Sequence, residues 1–467
     1  MKTFLSVFAL SVLFYLPIHA QKQEAENQAL EYIKTGNTLR ESAQFERAEE
    51  FLERGLAAVK SKNKYWEASA YENLALLYRD QGLTEKAIIH FRKALKIYKS
   101  LRSATSVKAI TALLEGIEEK EQLYAGIEIG AKGIKLSVVG IRLGIEGHYL
   151  FDIKEDKSVN PDIVSLKDVA IDKAIGAVNA FLKHVNTDFE IDTSHIFVVA
   201  SSGVRTEAKK HGKLEEISKR INEGVEGYHK EIKFITPEEE AYYAIKGATL
   251  PRFRAISTTI DIGSGNTKGG YLIGEHLDQL SPLTFDFGTR TFSETIKDNK
   301  IEMLQGYDSV ARYFAKEYIY KDVKEELSNN SGFRTRRIVH LAGGAPWAMT
   351  TMMYPEKIEE MFVQVSPADI RKFRIAVMKE HEIITAPNIS YIQDEKIREK
   401  AQAEIDRVNK SFTREEMIAG SIILDALAHQ LHSNVPKRFY FARLGYIGWI
   451  TGYIMESVTQ EYALLDE

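Results

Sequence analysis

The sequence predicts an α/β protein of two related lobes that follows an all-helical N-terminal region. Between Gln21 and about Leu123 the chain has helical periodicity and contains no proline. From Tyr124 onward predicted strands and helices alternate, which is typical of an α/β sheet flanked by helices. A hairpin motif with one acidic residue and a glycine-rich turn occurs twice in this second part. The duplication predicts two lobes of common design.

Length and composition limit the class of protein further. The chain has 467 residues, which is more than one hydrophobic core usually serves, so several domains are expected. Its formal net charge of -4 argues against a surface adapted as a whole to nucleic acid. It contains no cysteine, which excludes disulfides, thiolate metal sites and a cysteine nucleophile.

The first residues, Met1 to Ala20, have the pattern of a secretory signal. An early lysine precedes an apolar run from Phe4 to Leu16, and Ala20 stands before the polar Gln21. The run is short for a membrane span, which needs about 20 apolar residues, although an uncleaved anchor is the alternative. We expect cleavage after Ala20 and an exported protein, periplasmic or secreted, without stable membrane insertion after cleavage.

Residues 21–123 resemble tetratricopeptide repeats. Small and aromatic residues recur where paired helices must interdigitate, and a looser copy precedes them at an offset of 39 residues. The clearer copy contains Ala75, Tyr78, Ala87, Phe91 and Ala94, and the looser copy contains Gly36, Leu39, Ala48, Leu52 and Gly55. Ser103 to Gln122 is predicted as a third, capping helix. Such repeats often bind another protein on their concave side, so a protein partner is expected; a plain helical spacer is the alternative.

The stretch from Ser257 to Tyr271 is predicted to form a strand, a tight turn and a returning strand, with Asp261 at the mouth of the hairpin. Glycines in the turn let backbone N–H groups approach an anion closely. The candidate phosphate-binding residues are Gly263, Ser264, Gly265, Asn266, Thr267 and Lys268. The earlier copy has Glu128, Gly130 and Lys135 at matching positions. One such hairpin is often only a turn, but two in register predict a ligand cleft between the lobes.

Two further strand ends carry candidate anion-binding residues. The predicted strand His195 to Ala200 leads into a turn with Ser202, Gly203 and Arg205, and a helix is expected from Thr206 or Glu207. This turn can hold an oxyanion, or its arginine can simply be solvated. The predicted strand Ile338 to Ala342 ends in Gly343 and Gly344, a third glycine-rich turn suited to a phosphate or a nucleoside.

A helix start supplies the candidate for proton transfer. Thr236 is a suitable N-cap, Pro237 fits the first helical position, and Glu239 completes a capping box. Glu238 is favoured by the helix dipole. Capping demands nothing of Glu240, so Glu240 is the acid most suited to chemistry.

Taken in order, these motifs resemble the exopolyphosphatase/guanosine pentaphosphate phosphatase (Ppx/GppA) family over about Leu123 to Met455. The segments that carry the resemblance are Ile127–Gly133, Val198–Arg205, Ile235–Ala241, Ile260–Thr267, Phe287–Arg290 and His340–Ala345. The resemblance implies the ribonuclease H-like fold of actin, Hsp70 and sugar kinases, with two lobes of five-stranded mixed sheet at residues 124–257 and 258–467. It also implies hydrolysis of the terminal phosphate of inorganic polyphosphate, or of a related polyphosphorylated compound, with Mg²⁺ assistance.

The resemblance assigns roles residue by residue. Glu240 matches the general base, and Asp261 would position Mg²⁺ or its water shell. The turn Gly263–Lys268 would cradle phosphate, with a second contact at Gly203 and Arg205. Glu128 and Gly130 would form the opposing hairpin. The expected ligand is polyphosphate or a similar polyanion, no nucleic acid is expected, and a homodimer is compatible with the sequence.

Two departures from the family pattern keep alternatives open. Glu128 stands where the family usually has aspartate, and Lys268 stands where it usually has a metal-holding glutamate. Lys268 should weaken Mg²⁺ binding, or pair with Asp261, or contact phosphate itself. The first alternative is therefore a catalytically silenced polyanion-binding or scaffold protein acting through its repeats. The second is an actin-like or kinase-like nucleotide binder, which predicted export disfavours.

Overall fold

The computed structural model describes residues 27–465 apart from 119–120, 131–132, 144–148, 162, 276, 304–305 and 444–448. The predicted signal peptide lies outside these residues. The chain divides into two compact units. One contains the described residues up to Glu121 and those of Arg142–Leu150, and the other contains Gln122–Ile141 and the rest of the chain from Phe151.

The first unit is helical, as the repeat pattern predicts. Its helices are α1 (27–41), α2 (Phe45–Val59), α3 (Lys64–Asp80), α4 (Thr84–Ser100) and α5 (Ala104–Glu118). Small residues let neighbouring helices approach: a Cβ on Gly36 would lie 2.6 Å from Cγ of Leu52, and one on Gly55 would lie 2.8 Å from Cγ1 of Ile33. Leu52 is fully buried, which fits its place in the predicted repeat. The tetratricopeptide-like prediction is confirmed.

The second unit begins with a five-stranded mixed sheet whose strand order is β3-β2-β1-β4-β5. Its strands are β1 (Gln122–Gly130), β2 (Gly133–Leu143), β3 (Tyr149–Val159), β4 (Ile196–Ala200) and β5 (Lys233–Phe234). Its helices are α6 (Asp168–Asp188), α7 (Ser202–Lys210), α8 (Leu214–Gly224) and α9 (Pro237–Ala248). β1 pairs antiparallel with β2 and parallel with β4.

A second mixed sheet has the strand order β10-β11-β9-β6-β7-β8, one strand more than the five expected. Its strands are β6 (Ser257–Ile262), β7 (Thr267–Ile273), β8 (Gln279–Phe285), β9 (Ile338–Gly343), β10 (Phe362–Val365) and β11 (Arg438–Ala442). Its helices up to β9 are α10 (Thr289–Met303), α11 (Tyr307–Phe314), a π-helical turn Ala315–Ile319, α12 (Tyr320–Asn329) and α13 (Gly332–Thr335). Then follow α14 (Gly344–Met353), α15 (Pro367–Lys379), α16 (His381–Ile384), α17 (Glu395–Ser411), α18 (Arg414–Asn434) and α19 (Trp449–Leu465).

The two sheets repeat one arrangement, which confirms the predicted α/β duplication. In the second sheet β6 pairs antiparallel with β7 and parallel with β9, as β1 does with β2 and β4 in the first. The last helix, α19, returns to the first sheet: a Cβ on Gly126 of β1 would lie 2.5 Å from Ile450. Trp449 and Ile450 share a buried cluster with Val199 of β4. No helix among the described residues is long and apolar enough to cross a membrane.

Two boundaries differ from the sequence-based expectation. The helix expected from Thr206 or Glu207 begins at Ser202, so the predicted anion-binding turn is in fact the first turn of α7. The sequence pattern between Phe373 and Arg407 predicts an irregular segment followed by a helix, but the residues from Phe373 to Lys379 belong to α15. That helix begins with a complete capping box at Ser366 and Asp369 and with Pro367 in its first turn, a signal that the sequence contains.

Candidate active site

Each hairpin places a lysine opposite an acid. In the β6–β7 ladder Asp261 pairs with Lys268, and in the β1–β2 ladder Glu128 pairs with Lys135. Cross-strand partners lie on the same face of a sheet, so each acid and its lysine are neighbours. Lys135 Nζ lies 3.6 Å from Glu128 Oε2. This register explains why the acid and the lysine have the same spacing in both copies of the motif.

Glu240 lies in the first turn of α9, buried to 4% exposure. Thr236 and Glu239 form the predicted capping box, and Glu238 and Glu239 are exposed. One carboxylate oxygen of Glu240 accepts the backbone N–H of Ser202 at 2.7 Å. The other accepts a hydrogen bond from Lys268 Nζ. The acid that capping does not require is therefore the one that turns inward.

Lys268 interacts electrostatically with acids of both hairpins. Its side chain is almost fully buried in an ion pair with Glu240. Burial would lower the pKa of Lys268, but the carboxylates of Glu240, Asp261 and Glu128 outweigh it and raise the pKa. Burial would likewise raise the pKa of Glu240, but Lys268 and the Ser202 amide lower it. We therefore expect a charged pair at neutral pH.

The other two acids respond differently to the same surroundings. Burial raises the pKa of Asp261, an effect that Lys268 only partly offsets. Burial also raises the pKa of Glu128, against the opposing effect of Lys135. The negative charge of Glu240 raises the pKa of both acids further, because like charges disfavour each other's ionisation. The cluster thus contains one firmly ionised acid and two acids that resist ionisation.

The start of α7 already holds an anion, which is the carboxylate of Glu240. Amide groups at a helix N-terminus favour negative charge, and the Ser202 N–H is directed at Glu240. Gly203, one residue further, is exposed. The guanidinium group of Arg205 is bound to the backbone, since its Nη1 donates to the carbonyl of Phe234 at 2.5 Å. A phosphate contact by Arg205 would require that hydrogen bond to break.

The turn of the second hairpin is held from outside by the start of α10. The carbonyls of Gly263 and Ser264 accept hydrogen bonds from the amides of Thr289 and Arg290 at 3.0 and 2.9 Å. The carbonyl of Gly265 accepts the Thr291 hydroxyl at 2.9 Å. Residues 287–290 are part of the family resemblance in the sequence. The sequence did not predict that Thr291, the next residue, fixes this turn.

Within the turn, the predicted phosphate ligands divide by exposure. Gly263, Ser264 and Gly265 are partly exposed and Asn266 is exposed, so these residues can meet a ligand. Thr267 is fully buried, and its hydroxyl donates to the carbonyl of Phe287 at 2.8 Å. That hydroxyl supports the turn, which differs from the cradling role expected of it.

Gly343 closes the site beside Asp261. It has a φ of 86°, a left-handed conformation that glycine adopts readily. A Cβ at this position would overlap Oδ1 of Asp261. Gly344 begins α14, and a Cβ there would lie 2.7 Å from Phe412 Cζ. Gly130 plays the corresponding part in the first hairpin, where a Cβ would lie 2.7 Å from Oε1 of Glu128.

The predicted metal site contains a cation of its own. Among the described residues no group of three or more His, Asp or Glu side chains is arranged to hold a metal. Mg²⁺ often uses only one or two carboxylates together with water and substrate phosphates, so a group of three acids is not required for it. Lys268, however, stands opposite Asp261. An ammonium group and a divalent ion about 4 Å apart repel by about 8 kcal/mol at an effective dielectric constant of about 20. The arrangement therefore does not fit Mg²⁺, and Mg²⁺ assistance stays a prediction.

The fold and the duplicated hairpins define a two-lobed α/β protein of the actin-like ATPase fold with a helical repeat unit before it. A family model for tetratricopeptide repeats matches residues 28–100. A model of the Ppx/GppA phosphatase family matches residues 156–435, more than half of the chain. The chain belongs to the Ppx/GppA phosphatase family. Membership confirms the predicted enzyme class, a hydrolase of phosphoanhydrides.

The chain is also similar to solved structures at low sequence identity. The type II variant of the Ppx/GppA phosphatase from Aquifex aeolicus is 18% identical, with a TM-score of 0.50 over 72% of this chain and 99% of that one. An exopolyphosphatase from Cytophaga hutchinsonii is 13% identical, with a TM-score of 0.45 over 72% of this chain and 98% of that one. No curated protein matches the chain.

Proposed function

We propose that this protein is an exported exopolyphosphatase-type hydrolase, which releases the terminal phosphate of inorganic polyphosphate or of a related polyphosphorylated compound. The observation that carries the proposal is the position of Glu240. Its carboxylate is buried, accepts the Ser202 amide, and interacts with charged groups of both hairpins. A base at this point contacts Lys268 of the second hairpin, whose glycine-rich turn 263–266 would hold the end of a phosphate chain.

The hydrolysis requires one proton acceptor and fixed phosphate contacts. A water oxygen forms a bond to the terminal phosphorus, and Glu240 accepts one proton of that water. The bond from this phosphorus to the bridging oxygen breaks, and its electron pair stays with the shortened chain. Inorganic phosphate leaves. Positioning supplies much of the rate in such reactions, so amides of the turn 263–266 and of Gly203 would orient the phosphate.

Polyphosphate is the preferred substrate because of the predicted export. A protein cleaved after Ala20 would act outside the cytoplasm, where nucleotide substrates are scarce, whereas a long polyanion offers repeated terminal phosphates. N-terminal sequencing of the exported protein should give Gln21 as the first residue. The helical repeats would dock a protein partner, and a homodimer is compatible with this arrangement.

A second candidate function has one specific observation in its favour. Lys268 donates to the oxygen of Glu240 that would otherwise receive the proton of water. If this ion pair persists when a ligand is bound, the site binds a polyanion without hydrolysing it. The protein would then act as a scaffold through its repeats.

Phosphate release from inorganic polyphosphate by the protein beginning at Gln21 tests the proposed function. Glu240→Gln should lower the rate at least about a hundredfold, because general base catalysis commonly supplies a factor of about 10² to 10⁴. Polyphosphate binding should remain. Glu238→Gln is the matched control, since Glu238 is exposed in the same helical turn. Equal rates for Glu240→Gln and wild type would refute the role of Glu240, and no release by wild type would favour the second candidate.

A further inference from the structure

Two lysines of the chain lie among the acids Glu240, Asp261 and Glu128. Lys268 is buried to 9% exposure, and its ammonium group meets the carboxylate of Glu240 and the electrostatic influence of Asp261 and Glu128. Lys135, on the first hairpin, lies beside Glu128 with a side chain 41% exposed. Both lysines occupy the same position in their hairpins, directly opposite an acid. The fold thus brings two ammonium groups to the place where three carboxylates meet.

We propose that Lys268 takes the place of a divalent metal in this site and binds a substrate phosphate directly. The inference rests on the proposed function for its substrate class, a polyphosphate. It explains how a carboxylate cluster that does not fit Mg²⁺ can still receive a polyanion. An ammonium group is a compact point charge with three donors, which suits the oxygens of a phosphate group.

The exchange of partners by Lys268 would also control Glu240. Without substrate, Lys268 Nζ donates to Glu240 and holds it ionised. When a terminal phosphate enters, the ammonium group donates to a non-bridging oxygen instead. Glu240 then accepts a proton from the attacking water, while the bridging P–O bond breaks and its electrons remain on the shortened chain. Phosphate departure and loss of the proton from Glu240 to solvent restore the ion pair.

Binding measured without metal tests this role. The protein from Gln21 is titrated with long-chain inorganic polyphosphate in EDTA. Wild type should bind, and Lys268→Met should bind at least about tenfold more weakly, since it loses a charge-assisted hydrogen bond. Lys268→Arg, which keeps the charge, should recover most of the affinity. Lys324→Met is the matched control, because Lys324 is an exposed lysine on α12. Equal affinity of Lys268→Met and wild type would overturn the proposal.

A titration of the wild-type protein with MgCl₂ tests the same point without relying on the fold of a variant. The wild-type protein should show no Mg²⁺ binding at millimolar concentration, and Lys268→Glu should gain it. Tight Mg²⁺ binding by wild type would overturn the proposal.

Phosphate release, measured with and without EDTA, then separates the role of Lys268 from the proposed hydrolysis. Release by wild type that persists in EDTA supports both. Release that EDTA abolishes would overturn the role of Lys268 and leave the hydrolase intact. Binding in EDTA that depends on Lys268, with no release under any condition, would support the role of Lys268 and refute the proposed hydrolysis.

Discussion

At the scale of single residues, Lys268 and Glu240 depend on each other. Each side chain is nearly buried, and a buried charge is costly unless it is paired. Glu240 gains a second partner in the Ser202 amide, whereas the Lys268 ammonium group donates to Glu240. The pair therefore fixes α9, which carries Glu240, against the β6–β7 hairpin.

Lys268→Met should destabilise the protein at pH 7 by about 3 to 5 kcal/mol, the usual cost of leaving one member of a buried ion pair alone. This loss of stability should become smaller as the pH falls. In wild type the lowered pKa of Glu240 stabilises the fold above the unfolded-state pKa, and this contribution is lost as pH falls through the folded-state pKa. In the variant, burial without the cation raises the pKa of Glu240, so protonation relieves the cost.

Urea unfolding of both proteins at pH 7 and pH 4.5 measures this difference. Lys324→Met should match wild type at both values. A Lys268→Met protein that is less stable than wild type by the same free energy of unfolding at pH 7 and pH 4.5 would contradict this prediction. That result would show that the variant loses packing of the side chain and not a charge interaction.

The sequence predicted the individual site residues better than their contacts. Glu240 was identified because capping explains Glu238 and Glu239 but not the third acid, and the structure shows that this acid is the buried one. The ion pair of Glu240 with Lys268 joins residues 28 positions apart on different elements. Local patterns specify each element, but no local pattern specifies which of several acids a buried lysine will meet.

At the scale of elements, the site is formed where hairpins meet the ends of parallel strands. Ile129 of β1 pairs with Ala200, the last residue of β4, and Ile262 of β6 pairs with Gly343, the last residue of β9. The glycine-rich turn after β9 was predicted from sequence. The start of α7 at Ser202 was not, because Ser202 and Gly203 were interpreted as part of a turn. The carboxylate that accepts the first amide of α7 comes from Glu240, which is distant in sequence.

Gly343→Ala should destabilise the protein by about 1 to 3 kcal/mol, because a non-glycine residue at positive φ is strained. Its Cβ would also overlap the carboxylate of Asp261. We expect polyphosphate binding to weaken as well, since Asp261 must move. Gly265→Ala is the matched control: a Cβ at Gly265 has nothing within 4 Å. Thermal unfolding compares the two variants, and an equal loss in both would mean that the close approach at Gly343 costs little.

At the scale of the whole molecule, the chain divides into two compact units. The repeat pattern predicted the helical unit, because close helix packing requires small residues such as Gly36 and Gly55 at fixed spacing. The short strand β10 was not predicted, since four residues, Phe362–Val365, carry too little periodicity to separate a strand from a loop. The packing of α19 on the first sheet was not predicted either. It is a contact between segments that are distant in sequence, and local patterns do not specify such contacts.

Leu52→Ala should destabilise the helical unit and leave catalysis intact. Leu52 is fully buried within the repeats, and truncating such a leucine costs about 2 to 5 kcal/mol. Because the core around Leu52 belongs to the repeats, we expect hydrogen exchange to accelerate in α1–α4, with exchange in β6 and β9 and phosphate release at 25 °C unchanged. Leu341→Ala, at a fully buried position of β9, is the matched control and should accelerate exchange in the second sheet. Faster exchange throughout both units in Leu52→Ala would contradict this prediction and show that the two units unfold cooperatively. The repeats would then stabilise the catalytic unit in addition to offering a surface for a partner.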